Sequence, residues 1–89
     1  MRRFGLDRQL NLKLQKLFKK NKKRYEIVWK KINEIINCSD VDHYKNLKFP
    51  MNSLKRVHID SSFVLVFRYD QERDEVFFYD LEHHDKIYL

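Results

Sequence analysis

An α+β domain is predicted: an N-terminal helical hairpin packed on one face of a small, mainly antiparallel β-sheet. Three observations carry this. Apolar residues recur at helical spacing through the first 36 residues, and the runs after residue 53 change to alternating or continuous β-type patterns. The links between successive elements are short, so neighbours in sequence should pack as neighbours in space.

Leu10, Leu14, Leu17 and Phe18 follow the i, i+4, i+7, i+8 spacing of an amphipathic helix, with Asp7 as its N-cap. After "KKNKKR", a second stripe runs through Tyr25, Val28, Trp29, Ile32, Ile35 and Ile36. The short connection predicts an antiparallel helical hairpin. "RRFGL", before Asp7, reads as a short edge strand. "NCSDVDHY" and the stretch around Pro50 and Asn52-Ser53 read as loops. "LKRVHI" alternates, placing Leu54, Arg56 and His58 on one face and Lys55, Val57 and Ile59 on the other. "SFVLVFRY" is nearly all apolar, β-branched or aromatic, as a central strand should be. "DQERD" then forms a hairpin loop and "EVFFYDL" a third strand. One sheet face should lie under the helices and the other should be open to a ligand or partner.

The 89 residues suggest a single domain over 1–89 with one core and little to spare. Cys38, the one cysteine, cannot form an internal disulfide. No signal-peptide pattern and no apolar run of about 20 residues is present, so a soluble, cytoplasmic protein is expected. The net charge of +6 is uneven. Residues 1–36 hold twelve Lys or Arg against three acids, and residues 61–89 hold three against seven. A basic half suits a polyanion such as nucleic acid, and equally suits a solvated helix surface.

Cys38, His43, His58 and His84 lack the paired spacing of a zinc site. Adjacent His83 and His84, if extended, point to opposite sides. No metal and no cofactor is therefore expected. One glycine excludes a phosphate-cradling glycine loop. General acid–base chemistry stays open, because histidine titrates near neutrality and can carry protons in both directions. Beside Arg56, Arg68 and the lysines, the matching substrate is a phosphodiester, and RNA brings its own 2′-hydroxyl nucleophile. For each histidine a structural or solvated role is the competing reading.

The string "HYKNLKFPMNSLKRVHIDSSFVLVFRYDQERDEVFFYDLEHHDKIY" resembles the RelE/ParE superfamily of type II toxins, nearest its YafQ-like and archaeal RelE-like members. The order of "LKRVHI", "SFVLVFR", a hairpin and a terminal "HDKIY" carries the resemblance, and the preceding helical hairpin fits it. The resemblance implies a toxin that enters the ribosomal A site and cleaves mRNA by 2′-hydroxyl attack, without metal. It also implies an antitoxin partner of the RelB or DinJ type. By position His84 matches the family's late histidine, Tyr88 the terminal aromatic and His58 the strand histidine. His43 and Lys45 fall in the loop that carries another active-site histidine. Arg56, Arg68, Lys45 and Lys55 are phosphate-binding candidates by chemistry. Lys13, Lys16, Lys19, Lys20 and Lys23 are candidates to grip ribosomal RNA.

The chain also departs from the family pattern. Ser62 stands where YafQ-like proteins have an acid, with Asp60 two residues short of it. Phe49, Asn52 and Ser53 replace glycines, and Val64 takes the place of a RelE arginine. These departures bear on rate and codon preference more than on fold. Two other readings share that fold: a ParE-like gyrase inhibitor without nuclease activity, and a degenerate toxin that only binds its antitoxin.

Overall fold

The computed structural model describes residues 1–87. The order is β1 (Arg3–Leu6), α1 (Arg8–Lys20), α2 (Lys22–Asn37), a 3-10 turn (Val41–His43), β2 (Lys55–His58), β3 (Phe63–Asp70), β4 (Glu75–His83) and a second 3-10 turn (His84–Lys86). Asp7 caps α1 by accepting from the Gln9 N–H at 2.9 Å. A single residue, Asn21, turns the hairpin. Its N–H donates to the Leu17 carbonyl at 2.8 Å, closing α1, and its side-chain oxygen accepts from the Arg24 N–H at 3.1 Å, opening α2.

The sheet order is β1-β4-β3-β2. β2, β3 and β4 are antiparallel, while β1 lies parallel to β4, with Arg3 opposite Glu75 and Leu6 opposite Phe78. The expected α+β architecture forms, and "RRFGL" supplies the edge strand. Leu10 and Leu14 of α1 and Val28, Ile32, Ile35 and Ile36 of α2 bury against Leu65, Phe67, Val76, Phe78 and Leu81. These sheet residues define the helix side. No helix among the described residues is long and apolar enough to cross a membrane.

The outer face is less open than its pattern predicts. Leu47, Val64 and Val66 form a second buried cluster there, flanked by Leu54 and Ile87. The loop before β2 folds back, so that the Leu47 N–H donates to the Leu54 carbonyl at 2.8 Å and Asn46 bridges Lys55. A register shift between Val66 and Phe67 leaves Tyr79 unmatched, because their partners are Asp80 and Phe78.

Arg2 clasps the ends of the chain's first half. Its N–H donates to Ile36 O at 2.9 Å, and its guanidinium meets the carbonyls of Ile35, Cys38 and Ser39 and, at 2.7 Å, the Asp74 carboxylate. α2 has no basic residue in its last turn, so Arg2 supplies the positive charge its C-terminal carbonyls favour. Arg2→Ala should lower stability by about 1–3 kcal/mol, since hydrogen bonds to a charged donor are lost together. Urea denaturation measures this, and an unchanged midpoint would show that water replaces the clasp.

Candidate active site

Residues directly opposite in an antiparallel pair share a face. Arg56 pairs with Val66, and His58 with Val64, and both valines belong to the outer cluster. Arg56 and His58 therefore stand on the outer face, as the alternation in "LKRVHI" predicts. His58 is exposed, whereas Arg56 is half-buried and its Nε is buried without a hydrogen-bond partner among the described residues. Arg68, two residues beyond Val66, is exposed on the same face. It lines a groove of about 460 Å³ with Tyr79, Asp80, Leu54 and Ile87.

His84 sits where β4 ends. Its N–H continues the ladder to the Ser62 carbonyl at 2.9 Å, so backbone bonding helps to hold the tail against the start of β3. The two adjacent histidines do not point to opposite sides. The 3-10 turn ends the extended run at His83, and the two rings stack at 4.6 Å with an interplanar angle of 29°. His83 meets Phe63 edge-on at 5.6 Å, and Ile87 returns to the outer cluster. Tyr88 lies outside the described residues.

The other candidates divide. Lys45 is exposed, and its carbonyl accepts from the Arg56 N–H at 2.9 Å, which sets the loop beside β2. His43 stacks on Tyr44 at 4.0 Å, and Tyr44 donates its hydroxyl to Glu34 of α2 at 2.6 Å. Tyr44 also packs on Phe67, so His43 stands on the helix side with α2, not over the outer face. Lys55 differs from its expected phosphate-binding role. It is 8% exposed on the helix side, where its ammonium donates to Tyr44 O at 3.2 Å and Asn46 Oδ1 at 3.0 Å and lies 3.6 Å from Asp42. It ties the loop down from beneath.

Lys13 likewise turns inward from its expected RNA contact. It reaches past the end of β1 to Asp80 at 2.7 Å and Glu82 at 2.6 Å. Burial alone would lower its pKa, but the two carboxylates outweigh burial and hold the ammonium above the usual lysine range. Lys13 in turn holds the Glu82 carboxyl below its ordinary value. The pair thereby removes negative charge from the strand that borders the groove. Lys16, Lys19, Lys20 and Lys23 are exposed.

Asp60 is not a free acid either. Burial would raise its pKa, but Arg24 at 2.7 Å and the N–H groups of Ser62 and Phe63 outweigh that effect and lower it. A carboxylate lowered on folding adds stability above its unfolded pKa, near 3.8 for Asp60. That stability is lost as pH falls through the folded value, so Asp60 supports the β2–β3 turn throughout the neutral range. Sequence reasoning missed Tyr79 and the roles of Arg2 and Lys13, since each depends on partners far away in the chain.

No protein-family profile matches the chain. An uncharacterized protein of Methanosarcina mazei is 55% identical over 80 residues, covering 90% of this chain and 91% of its own length. A protein of Methanocaldococcus jannaschii named "Putative toxin RelE4" is 52% identical over 75 residues, covering 84% of this chain and 78% of its own. Among solved structures, the intact RelBE toxin–antitoxin complex of E. coli contains a chain that superposes with a TM-score of 0.71 at 20% identity, over 91% of this chain and 94% of that one. YafQ of E. coli superposes with a TM-score of 0.72 at 15% identity, over 96% of both chains. The fold is that of RelE and YafQ. With a relative more than half identical over most of both lengths, the chain belongs to the RelE superfamily of toxins.

Proposed function

We propose that this toxin is a ribosome-dependent endoribonuclease that cleaves mRNA in the A site. The observation that carries the reading is the outer face itself. Arg56, Arg68 and His58 share it, and at the end of β4 the His84 backbone is bonded to Ser62 at the start of β3. A guanidinium can hold the non-bridging phosphate oxygens and stabilise the charge that develops on them. One histidine removes the 2′-hydroxyl proton while the other protonates the departing 5′-oxygen. The products are a 2′,3′-cyclic phosphate and a 5′-hydroxyl, and the nucleophile comes from the RNA, so this route calls for no metal. Lys13 offsets one of the two negative charges of Asp80 and Glu82, which lowers repulsion of the phosphate chain at the groove.

Lys16, Lys19, Lys20 and Lys23 present positive charge from the hairpin to ribosomal RNA. Changing the first three to glutamate should weaken ribosome binding and reduce its salt dependence, with the log–log slope falling by roughly 1 per lost phosphate contact. Equal binding at every salt concentration would exclude the hairpin from the interface. The E. coli neighbour is recorded as a toxin–antitoxin complex, and an antitoxin of the RelB or DinJ type is the partner proposed here. Action on ribosomes places the toxin in the cytoplasm.

Primer extension on mRNA from translating ribosomes tests the reading. Breaks confined to A-site codons, each leaving a 5′-hydroxyl, are expected. Intact mRNA with folded protein would overturn it, and a gyrase supercoiling assay would then separate a ParE-like inhibitor from a toxin that only binds its antitoxin.

A further inference from the structure

We infer that His83, His84 and Asp85 form a binding site for a divalent transition ion of the zinc class. One ligand atom from each of the three residues lies within 4.8 Å of the others. Nδ1 of His83 is 3.4 Å from Oδ2 of Asp85, and Nδ1 of His84 is 3.0 Å from Oδ1. Tetrahedral zinc with bonds of about 2.0–2.1 Å holds its ligand atoms roughly 3.3–3.5 Å apart. Each imidazole is near that spacing from a different oxygen of Asp85, so a rotation of this exposed carboxylate brings one oxygen to both. The backbone beneath them is set by the sheet: His83 pairs with Phe63, and the His84 N–H is bonded to Ser62 O at 2.9 Å. The 3-10 turn brings both Nδ1 atoms beside the same carboxylate, which an extended pair could not do. That of His83 also accepts from the Asp85 N–H at 3.3 Å, a bond the ion would replace.

Donor chemistry selects the ion. Two imidazole nitrogens and one carboxylate suit zinc, nickel or copper, whereas calcium and magnesium require oxygen ligands. Three protein ligands leave the fourth position to water, and Asp85, with its side chain 73% exposed, keeps that position open to solvent. Where the proposed cleavage holds, an occupied site withdraws His84 from proton transfer, so the ion acts as an inhibitor. That consequence rests on the nuclease reading; binding does not.

Calorimetric titration of the untagged full chain with zinc chloride, without RNA, is the test. One ion per chain is expected. His83→Gln and Asp85→Asn should each weaken binding by at least about tenfold, the scale on which even outer-shell partners act. Cys38→Ser, which removes the only thiol, should leave it unchanged. Imidazole ¹⁵N spectra should show zinc moving the Nδ1 resonances of both His83 and His84. No binding by the wild type, or equal binding by the His83 and Asp85 variants, overturns the site. Zinc binding with no effect on cleavage would count against the role of His84 in catalysis while leaving the site intact.

Discussion

Replacement of His58 or His84 by alanine should lower A-site cleavage by about 10²–10⁴-fold, the usual scale for losing a general acid or base. Each substitution is expected to leave the fold intact. His58 is exposed at the end of β2, and no side-chain hydrogen bond holds it among the described residues. His84 is anchored through its backbone N–H to Ser62, a bond that alanine keeps. Circular dichroism and denaturation should therefore match the wild type within about 0.5 kcal/mol, as for ordinary surface substitutions. Loss of cleavage in folded protein assigns proton transfer to these residues. Undiminished cleavage in both variants would remove them from the chemistry. A steeper loss for one than the other would tell which proton transfer dominates the barrier.

Phe67→Ala should cost about 3–5 kcal/mol, the range for removing a buried phenylalanine. The ring is fully buried, meets Tyr44 and Phe78 each at 5.7 Å, and sits at the register shift between β3 and β4. A domain of this size has roughly 5–15 kcal/mol of stability in all, so much of it would go. The urea midpoint should fall with little change in slope. Phe77 provides the contrast, because it is 37% exposed on the outer face and its truncation should cost far less. A small effect at Phe67 would mean that the core collapses around the gap.

The elements were legible because their patterns are local. Helical spacing of Leu10, Leu14 and Leu17 and of Val28, Ile32 and Ile35 marks buried stripes without reference to any partner. Alternation in "LKRVHI" likewise put Arg56 and His58 on the face where they stand. Long-range charge pairing left no such mark. Lys13 looks like any solvated helix lysine until Asp80 and Glu82, 67 and 69 residues later, are brought to it. Lys55 was placed on the correct side by alternation, yet its anchors, Tyr44 and Asn46, belong to a loop whose path has no periodicity. The stacked histidines depended on a 3-10 turn beginning at His84, and extended geometry would have separated them. Membership of the superfamily came through the order of motifs, which survives changes such as Ser62 and Val64.

The parallel pairing of β1 with β4 sets an order of assembly. Arg3 is made early but pairs with Glu75, 72 residues later. At synthesis rates of about 5–20 residues per second, the first strand waits roughly 4–14 s for its partner. The helical hairpin and the β2–β3 pair rest on nearer contacts and can form while the chain is still growing. The sheet edge, the Arg2–Asp74 clasp and the histidine turn close together at the end. A partly synthesised chain can therefore present Arg56, His58 and Arg68 while lacking His84, and the surface proposed to act on RNA is complete only once β4 docks.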